Sequence, residues 1–314
     1  MSDQKIWDVV TGKAIAVSSD LEDRIEIINS KISSKVEIKS FVDIYEPKSE
    51  EVLLFDDGIC VIKQKANRTS QKEKLNSETQ SWPKSHADYL KKKVREKVIT
   101  DVVLLEIAQG KFEYIISPID PEGNNLFPLE KVIQTQLKVH YQNYNNPIPI
   151  VAIVDGASTI RKRLKNLNEA GITTILDWYH LSKKVRDFLA MISRNKAEKN
   201  EHFKFLFSHL WHGKVEECLD YLQNKVVARN QNKLDELINY FTKHQTSIIN
   251  YERRKQAKKT IGSGRIEKGV DLTIGKRQKD NGMSWRKLGS RALAILKVLE
   301  FNNLWQQAWF PEAA

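Results

Sequence analysis

The sequence predicts an α/β protein in which a mixed β-sheet, with helices on both faces, is interrupted by an all-helical subdomain. Short β-branched and aromatic runs separated by turn residues lie between residues 51 and 116 and indicate antiparallel hairpins. A strand–helix–strand order follows between residues 148 and 177, which indicates a parallel pair with a crossover helix. Residues 181–250 then show helical spacing and hardly any glycine or proline, over a stretch longer than an ordinary connection.

The first half of the chain is expected to supply the hairpins. A helix is predicted around Leu21–Ile32, and a strand over Glu51–Gly58. The Asp57-Gly58 pair predicts a turn that returns the chain through Ile59–Ile62 as a hairpin. Residues 64–97 are polar and lysine-rich, which indicates a long loop or a short exposed helix.

A second hairpin and the parallel pair complete the predicted sheet. The hairpin strands are Asp101–Glu106 and Phe112–Ile116, joined around Gly110. The elements that follow are a helix over Leu129–Tyr144, a buried strand over Ile148–Val154, a helix over Thr159–Ala170, a strand over Ile172–Leu176 and, near the end of the chain, a helix over Leu288–Leu299.

The positive charge of the chain is concentrated in two segments. The 314 residues carry a formal net charge of +11. Residues 253–297 contain 14 Lys and Arg against three acids, and residues 61–100 contain 11 against four. Clustered basic charge is the pattern of a protein that binds the phosphate backbone, although a solvated lysine face would give the same composition.

Composition also limits the function classes. Hydrophobic content of 40% and charged content of 29% are typical of a globular protein, and no apolar run approaches the roughly 18 residues of a membrane span. The polar, mixed-charge N-terminus does not have a signal-peptide pattern. The two cysteines, Cys60 and Cys218, form no CxxC pair, which excludes a zinc ribbon. We therefore expect a cytoplasmic, nucleoid-associated protein without a membrane partner.

Two predicted strands end in an acid followed by glycine. These pairs are Asp57-Gly58 and Asp155-Gly156. Side chains at the carboxyl ends of strands face the ligand crevice of an open α/β sheet, although a single Asp-Gly pair is also a common turn. Asp56 competes with Asp57 for the role, because adjacent residues of a strand point to opposite faces.

Two further motifs place polar groups near the same sheet. The segment Gly262–Lys268 contains Glu267 at the border of an apolar helical stripe, where it is either salt-bridged or holds cations beside phosphate. Asp271 lies four residues further on the same helical face and is the substitute candidate. Asp177 and His180 follow the last predicted strand and could form a metal pair, a nucleic-acid contact or a structural hydrogen bond.

The ordered set of motifs resembles bacterial insertion-sequence transposases of the DDE superfamily, in particular the Mutator-like group with its all-helical insertion. The motifs are Asp57-Gly, Asp155-Gly-Ala, Asp177-x-x-His180, Gly262-Ser-Gly-x-Ile-Glu267 and residues 278–285. The resemblance covers residues 50–310 and implies an RNase H-like core. It implies that Asp57, Asp155 and Glu267 form the metal-binding catalytic triad, with Asp177 and His180 as supporting active-site residues.

The resemblance also implies the cofactor and the partner. Three carboxylates can hold two Mg²⁺ or Mn²⁺ ions for in-line displacement at a DNA phosphate. Double-stranded DNA is the expected partner, bound by a homo-oligomer. The basic side chains expected to contact its phosphates are Arg253, Arg254, Lys258, Lys259, Arg265, Lys268, Lys276 and Arg277.

Four regions follow from this interpretation. Residues 1–49 are an N-terminal helical segment and a candidate remnant of a DNA-binding region, and residues 50–180 are the first part of the core. Residues 181–250 are the helical insertion, and residues 251–314 are C-terminal core helices that carry Glu267 and the basic patch. Two alternatives stay open: a transposase-derived protein that binds DNA without cutting it, and an RNase H-like nuclease without strand transfer.

Overall fold

A computed structural model describes residues 2–64, 96–264, 278 and 283–310. The predicted loop over residues 64–97 therefore lies almost wholly outside the described residues. So do Glu267, its substitute Asp271 and four of the predicted DNA contacts, namely Arg265, Lys268, Lys276 and Arg277.

The described strands form one five-stranded mixed sheet. Their bounds are β1 Val52–Ile62, β2 Lys97–Ala108, β3 Lys111–Ile115, β4 Ile150–Val154 and β5 Thr173–Leu176, and their order is β3-β2-β1-β4-β5. β1 pairs antiparallel with β2 and parallel with β4, while β2–β3 is antiparallel and β4–β5 is parallel. The predicted second hairpin and the predicted parallel pair are thus confirmed.

The predicted hairpin at Asp57-Gly58 is wrong, because β1 runs through both residues without turning. Gly58 pairs with Asp101 of β2. A Cβ atom on Gly58 would lie 2.9 Å from the Asp101 carboxylate, so glycine serves close approach within the ladder here. The alternation of apolar side chains continues from Phe55 to Ile59 on one face, and burial of that face keeps the strand extended.

Helices cover both faces of the sheet, as the sequence predicts. The helix bounds are α1 Asp3–Lys31, α2 Leu129–Tyr141, α3 Ser158–Leu167, α4 Trp178–Ile192, α5 Lys196–Trp211, α6 Val215–Asn224, α7 Gln231–His244, α8 Tyr251–Gln256, α9 Lys287–Phe301 and α10 Trp305–Trp309. On one face, Ile133 of α2 and Leu164 of α3 share a core with Leu54 and Ala152. On the other face, a larger core joins the sheet to α4–α9.

Residues 181–250 contain helices and contribute no strand to the sheet. An aromatic cluster anchors this helical region beside the end of β5. The indole of Trp178 packs against Phe207 and Trp211 at ring-centroid distances of 4.7 and 4.8 Å, and against Tyr251 at 4.8 Å. Because Trp178 follows Asp177 directly, packing of the helical region is coupled to the position of that aspartate.

Helix α1 is much longer than the predicted Leu21–Ile32 segment, since it spans 29 residues. It packs against α9 and α2. The close approach to α9 occurs at Gly289, where an added Cβ atom would overlap the indole of Trp7. The sequence signal was weak because small or polar residues, such as Ala14 and Ser18, form part of its buried stripe. Among the described residues, no helix is long and apolar enough to cross a membrane.

Two helical glycines should respond oppositely to alanine. Gly289→Ala should lower the free energy of unfolding by about 1–3 kcal/mol, because the methyl group displaces Trp7 and separates α1 from α9. Gly12→Ala in α1 is the matched control. It meets no atom within 4 Å, and should raise stability by up to about 1 kcal/mol through helix propensity. Urea unfolding of both variants is the measurement. Equal effects would contradict the described α1–α9 contact.

Candidate functional site

Asp57 and Asp155 lie side by side on neighbouring parallel strands. The last register pair of β1 and β4 is Asp56 opposite Val154. Asp57 and Asp155 therefore come directly after this last pair, just where the parallel pairing of the two strands ends. Neighbouring strands lie roughly 4.8 Å apart, so the backbones of Asp57 and Asp155 are close together at the carboxyl end of β4.

The two aspartates also share a face of the sheet. Phe55 and Ile153 are paired across β1 and β4, and both belong to the core on the helical-region side. Residues two positions later in a strand point the same way, which directs Asp57 and Asp155 toward that side. Asp56 points to the opposite face. Of the two competing acids, Asp57 is thus the one that can act together with Asp155.

Asp56 belongs to a buried ion-pair network instead. Its two carboxylate oxygens lie 2.6 and 2.5 Å from one guanidinium nitrogen of Arg163 in α3. Another nitrogen of Arg163 lies 2.7 Å from Asp101 of β2. Burial raises the pKa of Asp56 to about 7, because desolvation outweighs the attraction of Arg163. Asp56 is therefore a structural residue that ties β1 to α3 and β2.

A tight turn fixes the carboxylate of Asp155. The backbone N–H of Ala157 donates to Asp155 Oδ1 at 2.8 Å, and Gly156 adopts a φ of +86°. A Cβ atom on Gly156 would lie only 2.7 Å from the ring of His244 in α7. Glycine is required here both for the left-handed backbone and for the approach of α7. The second Asp-Gly pair is thus a turn at a strand end, as predicted.

His244 and Tyr240 place the helical region directly against this turn. Their rings lie 4.6 Å apart, and His244 is buried. Burial lowers the pKa of His244 to about 4, with help from the positive charges of Arg161 and Lys243, so the imidazole is neutral at pH 7. Sequence reasoning missed both residues. Each is a single polar ring on an amphipathic helix, and no motif distinguishes it from an ordinary helix residue.

Asp177 follows the last paired residue of β5, Leu176, which lies opposite Val154 of β4. Its fully buried carboxylate caps α4 by accepting the N–H of His180 at 2.7 Å, and it also accepts the N–H of Ser263. Burial alone would raise the pKa of Asp177, but the hydrogen bonds from His180 and Ser263 lower it below its ordinary value.

The Asp177–His180 motif therefore holds the loop that precedes Glu267. His180 Nδ1 lies 3.3 Å from Asp177 Oδ1. The N–H of Trp178 donates to the carbonyl of Ile261 at 3.2 Å. Asp177 thus has the structural hydrogen bonds that the sequence left open as one of three roles for the motif, while the metal and nucleic-acid roles of Asp177 and His180 stay predictions.

Gly262 permits this close approach of the loop. A Cβ atom on Gly262 would lie 2.8 Å from the ring of Tyr179 and 3.2 Å from an oxygen of Asp177. Any larger residue would push the loop away from the start of α4. The second residue of the Gly262-Ser-Gly264 motif, Ser263, is itself buried.

Two of the predicted DNA contacts are internal. The guanidinium of Arg254 is fully buried, bonds Glu51 at 2.8 and 3.1 Å, and donates to the carbonyls of Ile44 and Thr260. The ammonium of Lys259, whose side chain is 8% exposed, lies 3.2 Å from the same glutamate. The assignment of Arg254 and Lys259 to DNA is therefore corrected, because both cations compensate a buried acid and hold the segment before β1.

Arg253 and Lys258 remain on the surface. Arg253 is exposed, with its guanidinium 4.8 Å from the ring of Tyr45. Lys258 is exposed and has a φ of +61°. Both side chains can therefore reach a phosphate backbone, whereas the other four predicted contacts lie outside the described residues.

The third predicted triad residue, Glu267, lies outside the described residues, so its distance from Asp57 and Asp155 is not given by the structure. Within the ranges that the structure describes, no group of three or more His, Cys, Asp and Glu side chains could hold a metal ion. The described part of the site thus consists of Asp57 and Asp155, which lie where the parallel pairing of β1 and β4 ends. Asp177 lies beside them and holds the adjacent loop.

Comparisons with known proteins add nothing to this geometry. The chain matches no protein-family model, no curated protein and no solved structure. The functional assignment therefore depends on the residues and their arrangement.

Removal of Arg163 alone should destabilise the protein strongly, whereas replacement of both Asp56 and Arg163 by apolar residues should be tolerated. Arg163→Met leaves a buried carboxylate without its cation and should cost about 3–5 kcal/mol of unfolding free energy at pH 8. The loss should shrink at lower pH. A carboxyl whose folded-state pKa is raised contributes stability below its unfolded pKa and loses it as pH rises through the folded value.

The double variant Asp56→Leu, Arg163→Met should recover most of that loss, since it leaves no buried charge at position 56. Lys165→Met, at an exposed position of the same helix, is the control and should leave stability unchanged. Denaturant titration at pH 6 and pH 8 measures all three. A double variant as unstable as Arg163→Met would contradict this account.

Asp177→Asn should loosen the loop while preserving the helix cap. Asn keeps one acceptor for the N–H of His180, but its amide nitrogen cannot accept the N–H of Ser263, so we expect a loss of about 1–3 kcal/mol at pH 7. Because the folded-state pKa of Asp177 is lowered, the advantage of the wild type is complete above the unfolded value of 3.8 and disappears as pH falls through the folded value.

Asn230→Ala, which removes the cap of α7 alone, is the control for this measurement. Hydrogen exchange should then show faster exchange at Ser263 in Asp177→Asn and not in Asn230→Ala. Unchanged protection of Ser263 would contradict the proposed link between the cap and the loop.

Proposed function

We propose that this chain is a DNA transposase that cuts and joins DNA strands with divalent metal ions held by Asp57, Asp155 and Glu267. One observation carries the proposal. Asp57 and Asp155 come from adjacent parallel strands, on the same face, at the position where the pairing of those strands ends. The ordered motifs that resemble DDE transposases are therefore matched by an arrangement that suits joint binding of a cation.

The sheet topology supports the RNase H-like part of the proposal. A central β1 lies between an antiparallel β2–β3 hairpin and the parallel strands β4 and β5, with helices on both faces. An RNase H-like core is expected to have this order and these directions. The helices of residues 181–250 lie between β5 and α9, where the all-helical insertion of such a transposase is expected.

The two aspartates suit a hard divalent cation. Carboxylate oxygens are the ligands that Mg²⁺ and Mn²⁺ prefer. Asp177 is not a ligand in this proposal, because its oxygens accept N–H groups of His180 and Ser263 within the protein. When bound, the ions would supply an activated hydroxyl and stabilise the charge of the leaving oxygen.

Chain connectivity supports Glu267 as the third carboxylate. Ser263 is bonded to Asp177, and Asp177 is the neighbour of Asp155 in the sheet. Glu267 follows Ser263 by four residues, and four residues span at most roughly 14 Å. The hydrogen bond from Ser263 to Asp177 thus keeps the start of the segment that carries Glu267 near the two aspartates.

The surrounding residues give each aspartate a defined role. The N–H of Ala157 fixes the direction of the Asp155 carboxylate, which reduces the reorganisation needed when it binds a cation. The buried ring of His244 lies against this turn, and the partly buried ring of Tyr240 packs on His244, which limits water access on that side. Arg253 and Lys258 can neutralise phosphates of the DNA without reading its sequence.

Asp155→Asn should abolish strand cleavage and leave DNA binding intact. Asn preserves the shape but removes a charged metal ligand, so we expect the rate of cleavage to fall by at least about 100-fold. Affinity should be equal or slightly higher, since one negative charge is lost. The assay measures nicking and joining with Mg²⁺ or Mn²⁺ on duplexes from the DNA that flanks the coding frame.

Glu267→Gln should behave like Asp155→Asn, whereas Asp187→Asn, at an exposed position of α4, should cleave like the wild type. Cleavage that persists in both Asp155→Asn and Glu267→Gln would refute the mechanism. A wild type that binds and never cuts would favour the DNA-binding alternative, and cutting without joining would favour the nuclease.

A further inference from the structure

Three basic side chains from three different helices lie around His244, whose ring lies against the turn that follows Asp155. They are Arg161 of α3, Lys184 of α4 and Lys243 of α7, here called the basic cradle. All three act on the imidazole of His244 and help to lower its pKa, after the larger effect of burial. Since the ring of His244 lies against Gly156, the cradle is adjacent to the candidate metal ligand Asp155.

Ring contacts place the cradle at the junction between the sheet and the helical region. The ammonium of Lys184 lies 5.4 Å from the ring centre of Tyr240, whose ring lies 4.6 Å from that of His244. Lys243 immediately precedes His244 in α7. The sheet side contributes Arg161, one turn into the helix that begins directly after the Asp155 turn.

The charges of the cradle are not neutralised within the described part of the chain. No carboxylate there forms an ion pair with any of the three side chains, although several other surface cations have such partners. The Nε atom of Arg161 is buried and has no hydrogen-bond partner among the described residues. A buried guanidinium N–H without a partner is uncommon, so the Nε atom does not commit the charge of Arg161 to an acceptor within the described residues.

Asp155 opposes the effect of the three cations on His244, and its Oδ1 accepts the N–H of Ala157. The cations therefore outnumber the acids among the charges that act most strongly on His244. The N-terminus of helix α3 also favours a bound anion, because it carries partial positive charge and has no side-chain cap.

We propose that the basic cradle of Arg161, Lys184 and Lys243 binds a backbone phosphate of the DNA strand that enters the Asp57–Asp155 site. This inference rests on the proposed function and names the side chains that hold the strand next to the reacting phosphate. The two lysines supply mobile point charges, and the guanidinium of Arg161 supplies a directional donor for a phosphate oxygen. Because the cradle joins both sides of the junction, strand binding would hold the helical region against the sheet.

The test measures duplex binding by fluorescence anisotropy across a salt series, with Asp155→Asn as the background so that no cleavage occurs. Arg161→Gln, Lys184→Gln, Lys243→Gln together should weaken binding at low salt by roughly tenfold and flatten the salt dependence by one or more ions. The matched control removes the same charge from exposed lysines elsewhere in the helical region, through Lys196→Gln, Lys204→Gln, Lys225→Gln.

Neutral methylphosphonate linkages, introduced one at a time along the duplex end, identify the contacted phosphate. At one position the substitution should weaken binding of the control protein and leave the cradle variant unaffected. Lys184→Gln, Lys243→Gln alone, at two exposed positions, keeps the test valid should the Arg161 change unfold the protein. Competition by inorganic phosphate and by ATP separates a strand phosphate from a free one.

The outcomes test phosphate binding by the cradle separately from the proposed strand-cleaving activity. A cradle variant that binds DNA with the control's affinity and the control's methylphosphonate profile overturns the cradle, whether or not the wild type cuts. Displacement of DNA by millimolar inorganic phosphate or ATP, without a strand position that responds, also overturns it. A wild type that never cuts, yet shows the expected binding pattern, would refute the proposed enzyme and retain the cradle.

Discussion

The buried carboxylate of Asp177 connects three parts of the molecule that are distant in sequence. Asp177 directly follows β5, caps the first helix of the helical region through the N–H of His180, and accepts the N–H of Ser263 in the loop that leads toward Glu267. Trp178, the next residue, anchors the aromatic cluster of that region. A group with no exposure is stable as an anion only when such donors surround it. The position of the loop and the packing of the helices therefore depend on the same hydrogen bonds.

Strand alternation then divides two adjacent acids between different tasks. Asp56 faces α3 and is held by Arg163, while Asp57 faces the helical region together with Asp155. A one-residue shift of β1 would exchange the two acids and would also turn Phe55 and Ile59 out of the core. Burial of these apolar side chains therefore favours a single register of the central strand, and the register decides which acid meets Arg163.

The electrostatic organisation of the site differs from the charge distribution along the sequence. The most basic segment predicted a DNA-binding surface, yet Arg254 and Lys259 use their charge to hold Glu51 inside the protein. Conversely, Arg161, Lys184 and Lys243 lie outside the two most basic segments of the chain, and each of them acts on His244, whose ring lies against Gly156. The density of basic residues along the sequence shows only how many cations a segment contains. Phosphate binding depends on which of those cations are not paired with an acid inside the protein. That distinction requires the positions of the acids as well as those of the bases.

The sequence by itself determined the hairpin β2–β3, the parallel pair β4–β5, the helical character of residues 181–250 and the turn at Asp155-Gly156, since each depends on local periodicity or on glycine. It wrongly predicted a turn at Asp57-Gly58, because the same dipeptide can stay extended when a long partner strand and a buried face stabilise it. Long-range packing was needed to distinguish Asp56 from Asp57, to show the hydrogen bonds of Asp177 to the loop at Ser263, and to show that Arg254 is internal. Each of these depends on which side chains meet across long sequence separations, and that information is not present in any local pattern.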